Sequence, residues 1–271
     1  MIKLLGSNLL LLLWYGTVCA QTGSMVSKQL LSSPVELFNT DRFGNIYLSH
    51  KNGNLSKRDQ FGRLIAQFAS QRYGKLSTLE TWTSLRIFLF YQDIQQFVFL
   101  DRYLNQSEFL EFPPGQFGLV MLLAPSSDNQ LWVLDSGPLT LIKYDINFGS
   151  ITLSQVLNPL LKESNLQPCQ LFEYQNRIYL GDSNLGILVF DNLGNYIQTI
   201  DKSGAELVYP YKEELYFLRN NNLHFVSIYS EGQRVVELPD NQVEYKHVLL
   251  TDKSLILASM NELFIYHYTP R

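Results

Sequence analysis

The stretch Gln130–Asp145, QLWVLDSGPLTLIKYD, sets two apolar strands on either side of a short polar turn. Trp132, Val133 and Leu134 are β-formers that suit a pleated surface. They are also apolar on both faces of the strand, which requires cover from above and below. A lone hairpin cannot supply that cover, so the question is what repeats beside it.

The same pattern occurs five more times. It reads NIYLSHKNGNLSKRD from Asn45, RIFLFYQDIQQFVFLD from Arg86 and RIYLGDSNLGILVFD from Arg177, then ELYFLRNNNLHFVSI from Glu214 and SLILASMNELFIYHY from Ser254. The first apolar residues of the six are Ile46, Ile87, Leu131, Ile178, Leu215 and Leu255, spaced by 41, 44, 47, 37 and 40 residues. Short strands recurring at about 40–50 residues are the mark of propeller blades. A β-sandwich also uses short strands, but it has no reason to repeat one pattern six times.

The flanks complete the unit. A strand precedes each hairpin (PVELFNT, KLSTLETW, FGLVMLLA, PCQLFEYQ, AELVYPYK and YKHVLLTD), and all but the last are followed by another, such as GRLIAQF or GNYIQTI. The order A-B-C-D therefore predicts an all-β, six-bladed β-propeller. The sixth hairpin, ELFIYHY, has no strand D after it. Ser24–Ser33, carrying Val26, Leu30 and Leu31, has no role inside blade 1, so it is expected to close the last blade by pairing beside Leu263–Tyr268. In residue numbers, about 24–33 joins 244–268, and 21–271 forms one propeller domain.

The longest spacing contains LSQVLNPLLKESNL, read as strand D followed by a helical turn or irregular loop around Pro159. With 46% hydrophobic residues and a formal net charge of -4, nothing suggests disorder. No basic run is present, which argues against a nucleic-acid groove. Residues 1–20, MIKLLGSNLLLLLWYGTVCA, have the three-part layout of an export signal cleaved before Gln21. Val18 directly before Cys19 disfavours a lipoprotein reading. Cys169 is then the single remaining cysteine, and the fold must hold by packing rather than by a disulfide. The expected location is the periplasm or the periplasmic face of the outer membrane, peripheral at most to the membrane.

No phosphate loop and no nucleophile elbow occur, and the four histidines lack metal-ligand spacing, so neither catalysis nor a cofactor is implied. The candidate site residues follow strand B: His50, Asp93, Asp135 and Asp182. Gathered at one mouth of the channel, the carboxylates of Asp135, Asp182 and Asp93 would suit a hard cation. Alternatively an Asp before Ser-Gly or Ser-Asn caps its own turn.

LWVLDSG followed by LIKYD resembles the blade core of the superfamily that includes NHL-repeat and gluconolactonase-like propellers. Gluconolactonase-like enzymes bind a divalent cation through acids and amides around the channel. The matching positions here are Ser49, Gln92, Asp135, Asp182, Arg219 and Ser259, a set whose Arg departs from that pattern. The blocks IYLSHKNGNLSKRDQFG, IFLFYQDIQQFVFLD and GILVFDNLGNYIQTI are similar to those of exported six-bladed propellers of Bacteroidetes with no assigned catalysis. The chain is also similar to plug-like accessory subunits of the type 9 secretion translocon.

The resemblance to exported propellers implies an envelope protein without assigned catalysis, and the export signal, the absent catalytic constellation and the blade-edge aromatics motivate reading it as a subunit that binds a protein partner. Tyr91, Phe97, Tyr196 and Tyr229 are the expected blade-edge aromatics. The alternatives are a metal-dependent lactonase or hydrolase using Asp135 and Asp182, or a carbohydrate or small-ligand binder, for which Trp82 and Trp132 are candidates although packing between blades is the expected place of both.

Overall fold

Each quoted hairpin becomes strands B and C of one sheet in the computed structural model, which describes residues 22–69, 74–81, 86–157, 166–200 and 207–268. The expected export segment with Cys19, the loop around Pro159, and Trp82 lie outside these residues. The first strand, β1 (Thr22–Leu30), is held over for the last blade. Blade 1 is β2 (Val35–Thr40), β3 (Ile46–His50), β4 (Leu55–Arg58) and β5 (Leu64–Phe68). Blade 2 is β6 (Thr78–Glu80), β7 (Ile87–Tyr91), β8 (Gln96–Leu100) and β9 (Gln106–Glu111). Blade 3 is β10 (Val120–Pro125), β11 (Leu131–Asp135), β12 (Thr140–Asp145) and β13 (Ser150–Val156). Blade 4 is β14 (Pro168–Tyr174), β15 (Arg177–Asp182), β16 (Gly186–Asp191) and β17 (Tyr196–Ile200). Blade 5 is β18 (Tyr209–Tyr211), β19 (Glu214–Arg219), β20 (Asn222–Ser227) and β21 (Gln233–Glu237). Blade 6 is β22 (His247–Leu250), β23 (Ser254–Ala258) and β24 (Glu262–Tyr268), with β1 as its outer strand.

The chain is thus a six-bladed propeller closed by its N-terminal strand, and every sheet is antiparallel. In β3, β7 and β11 every residue is buried, as strands apolar on both faces must be when sandwiched between neighbouring blades. Each such apolar side chain contributes on the order of 1.5–3 kcal/mol through burial. Six hydrophobic clusters fill the spaces between the sheets. Trp132 is fully buried in one of them and cannot stack against a ligand.

Closure differs in detail from the sequence expectation. The pairing begins at Thr22↔Tyr268 and ends at Leu30↔Glu262, with two register irregularities between. Val26 packs against the core and Leu31 is buried just beyond the strand, but Leu30 is 79% exposed. The shifted register turns Leu30 outward, as strand alternation dictates. Tyr91 and Phe97, expected at blade edges, are also buried, because strands B and C lie between blades; Tyr196 and Tyr229 are exposed.

Polar side chains staple every blade junction. Asn39 Nδ2 donates to the Leu79 carbonyl (2.8 Å), and Gln95 Oε1 accepts from the Val120 amide (2.8 Å). Gln170 Oε1 accepts from the Val208 amide (2.8 Å), and the Tyr216 hydroxyl accepts from the Leu250 amide (2.8 Å). His247 Nε2 lies 3.0 Å from the Val35 carbonyl, while Trp132 and Glu173 join blades 3 and 4. A buried backbone group left unpaired costs about 1–3 kcal/mol, so these bonds specify the ring as well as stabilise it.

Candidate functional site

The innermost strands β2, β6, β10, β14, β18 and β22 surround a central cavity of about 630 Å³. Its lining includes the A–B turns through Asp41–Gly44, Lys212 and Thr251–Ser254, together with Gln60 of a C–D turn. It therefore opens at the end of the propeller that carries the A–B and C–D turns. Toward the other end, His247 bridges to Val35 and packs edge-on against Phe38, with ring centroids 6.1 Å apart.

The face that carries this opening repeats one turn. Asp41, Asp59, Asp101 and Asp191 each accept hydrogen bonds at Oδ1 from the amides two and four residues on. The position between those amides takes a positive φ, at Gly44 (80°), Gly62 (82°), Leu104 (65°) and Gly194 (78°). Glycine adopts that conformation without strain. The Asp and the Gly close the turn, and the residue before the Gly is thrust outward: Phe43, Phe61, Tyr103 and Leu193 are all exposed. Phe148 and Tyr229 occupy the C–D turns of blades 3 and 5 and are exposed as well.

Arginines cover four of these tips, with Arg42 over Phe43 (4.8 Å), Arg63 over Phe61 (5.3 Å), Arg102 over Tyr103 (4.8 Å) and Arg177 over Tyr229 (4.8 Å). The turns of Phe43, Phe61 and Leu193 share the signature Asp, any residue, an apolar residue, then Gly, and Leu104 takes the Gly place in the Tyr103 turn.

Inside the cavity, the carboxyl groups divide by commitment. Asp41 is spent on its turn and on Asn45 Nδ2 and Tyr47. Glu173 accepts from Ser126 Oγ (2.6 Å), Trp132 Nε1 (2.6 Å), and the amide and hydroxyl of Ser127. Burial opposes its ionisation, but those donors outweigh it and hold the carboxyl below the usual range. Glu80 differs. Its one hydrogen bond among the described residues is a long one, 3.4 Å, from Asn39 Nδ2. Desolvation pushes its pKa up to about 7 against that bond. The Tyr209 phenol, from the blade directly across the ring, is raised by burial and further by the charge of Glu80. Tyr209 in turn stacks on Tyr216, with centroids 5.6 Å apart.

The four residues singled out from sequence lie at the opposite end, and none lines the cavity. Asp135 Oδ2 accepts from the Gly118 amide (2.9 Å) and Oδ1 from the Gly137 amide (3.2 Å). Asp182 Oδ2 accepts from Gln167 (2.6 Å), and Oδ1 from Asn184 and Leu185 (2.9 Å each). Both carboxylates latch the B–C turn to the chain entering strand A of the same blade.

His50 holds the same position in blade 1, with Nδ1 3.4 Å from the Pro34 carbonyl and Nε2 3.2 Å from Ser56 Oγ. Burial lowers its pKa. Asp93 is exposed on a single 3₁₀ turn, Gln92–Ile94. No group of three His, Cys, Asp or Glu among the described residues is placed to hold a metal ion.

No family profile matches the chain, and no curated protein matches it in sequence. Solved structures do match in fold. The Pan2 WD40 domain of Neurospora crassa aligns at TM-score 0.63 and 8% identity, over 94% of this chain and 98% of that one. Virginiamycin B lyase from Staphylococcus aureus aligns at 0.59 and 10%, over 89% and 98%. PorZ of Porphyromonas gingivalis, described as an essential surface component of the type-IX secretion system, aligns at 0.54 and 14%, over 88% of this chain and 32% of that one. At these identities the likeness is one of fold.

Proposed function

We propose that this chain is an exported, non-catalytic propeller that binds another protein of the cell envelope through its cavity-bearing face. The observation that carries the reading is the ring of exposed side chains at the turn tips, Phe43, Phe61, Tyr103, Phe148, Leu193 and Tyr229. In the turns of Phe43 and Phe61 the Asp and the Gly make the turn, so the exposed aromatic ring between them is not needed to form it. Aromatic and arginine side chains are the types that dominate protein interfaces, and here they are already paired.

The layout of residues 1–20 supports export, and the Bacteroidetes-like sequence blocks support an envelope setting. A fold like that of PorZ supports the type-IX secretion apparatus, at the periplasmic face of the outer membrane, as the place where such a subunit works. Cys19 is then removed with the leader.

The test is a native pull-down from membranes with the wild-type chain, the rim variant Phe61→Ser/Tyr103→Ser/Tyr229→Ser, and a control at the opposite end, Ile94→Ser/Met260→Ser. The expected result is one stoichiometric partner retained by the wild type and the control and lost by the rim variant. A partner that survives the rim changes, or no stoichiometric partner at all, would refute the docking role.

A further inference from the structure

The central cavity holds a feature that the docking role does not use. Its walls are aromatic at Phe38, Phe172, Tyr209 and Tyr211, and one carboxyl, that of Glu80, has a single long hydrogen bond among the described residues. The other lining acids sit at the turn rim or are committed: Asp41 and Glu173 to hydrogen bonds, Asp252 in the A–B turn of blade 6. The lining bases Arg42, Lys212 and Lys253 are exposed rim residues. Around Glu80, β2 brings Asn39 and β18 brings Tyr209, while β10 lines the cavity with the apolar Leu122 and Ala124. No protein cation among the described residues answers Glu80. A carboxyl in that setting either keeps its proton or is stabilised as the anion by a cation brought in from outside.

We propose that the cavity binds a small organic cation, a protonated amine carried on an aromatic body, with the ammonium on Glu80 and the body against Phe38, Phe172 and Tyr209. The ammonium would gain the carboxylate and the face of the Tyr209 ring together, each interaction strengthened by exclusion of water. The volume suits a drug-sized ligand, and the apolar walls with one placed charge are the usual composition of such sites. The proposal stands apart from the rim, since Phe61, Tyr103, Phe148, Leu193 and Tyr229 do not line the cavity.

Binding must then be linked to protons. Desolvation raises the Glu80 pKa to about 7. An ammonium beside it favours the carboxylate, so below pH 7 each binding event releases a proton. Affinity should rise roughly tenfold per pH unit up to about 7 and level off above it.

The experiment is isothermal titration of the full chain with three probes of one shape: tryptamine (cation), tryptophol (neutral) and indole-3-propionate (anion). The expected result is that wild type prefers tryptamine to tryptophol by about tenfold or more at pH 8, the value of one desolvated charge pair, and binds the anion most weakly. Its tryptamine affinity should follow the pH profile above. Glu80→Gln should bind tryptamine and tryptophol alike, with no pH dependence, while the rim change Tyr229→Ser should leave tryptamine binding intact. Equal binding of tryptamine and tryptophol by wild type would overturn the proposal. So would a pH-independent affinity, an unaltered preference in Glu80→Gln, or no binding at millimolar probe.

Discussion

The indole Nε1 of Trp132 donates a 2.6 Å hydrogen bond to Glu173 Oε2 across the junction of blades 3 and 4. The ring of Trp132 is buried and carries Lys143 Nζ 5.1 Å from its centroid on one face. Ser126 and Ser127 complete the carboxylate's shell from the same A–B turn. A tryptophan that sequence reading could offer as a ligand platform is therefore a structural donor.

Glu173→Ala should destabilise the ring by about 2–4 kcal/mol, because it leaves the Trp132 N–H and two Ser hydroxyls without their charged acceptor. Trp132→Phe should cost less than Glu173→Ala, since it removes one donor and keeps most of the apolar volume. The folded pKa of Glu173 is depressed, so its contribution is present above the ordinary carboxylate value and is lost as pH falls through the folded value. Urea melts at pH 7 and pH 3 check both points, and the variant's deficit should shrink in acid.

Glu80 carries the opposite sign. Its folded pKa is raised, so the unfolded chain releases the proton first and stability falls as pH rises from about 4.5 to about 7. Glu80→Gln should match wild type below pH 4 and exceed it at pH 8, by up to about 3 kcal/mol and less to the extent that cavity water screens the charge. Paired thermal melts across pH 4 to 8 measure the divergence.

Deleting residues 22–31 should open blade 6. The loss removes the β1–β24 ladder, the packing of Val26 and Leu31 against Ile265 and its neighbours, and the bond from the Leu31 amide to the Asn261 carbonyl. It also bares the edge of β24, a template for aggregation. Size-exclusion chromatography should show oligomers or aggregates, and thermal unfolding should broaden and shift down. An unchanged melt would contradict the closure.

Asp182 and Asp135 should behave as turn latches. Asp182→Ala strands three backbone amides and Asp135→Ala two, so the first should cost more, each within about 1–3 kcal/mol. Millimolar calcium should leave the wild-type melting temperature unchanged, because these lone pairs already face amides. A cation-dependent rise lost in both variants would restore the metal reading.

The blades, their order and the closing strand could be read from the chain, because strand periodicity and turn chemistry are local properties. Gly62 and Gly194 mark their turns, and Trp132-Val133-Leu134 requires two covered faces. The site was far less legible. Asp135 and Asp182 drew attention because they sit at equivalent points of neighbouring repeats, yet equivalence in a repeat is as readily a shared structural latch. His50 shows this, holding the same place with a different side chain. The outward tips Phe43, Phe61 and Leu193 carry a readable signature, but their exposure on one common face depends on strand direction.

Residues 40 or more apart decided the rest. Glu80 is one carboxylate among many in the sequence; its isolation comes from Asn39 in the preceding blade and Tyr209 across the ring. Which end of the channel opens depends on how six innermost strands converge, with Phe38 and His247 meeting from blades at the two ends of the chain. Local hydrogen bonding and apolar spacing are written in short segments and therefore specify the blade. A desolvated charge or an open mouth is a sum over elements brought together only by closure, and no short segment encodes it.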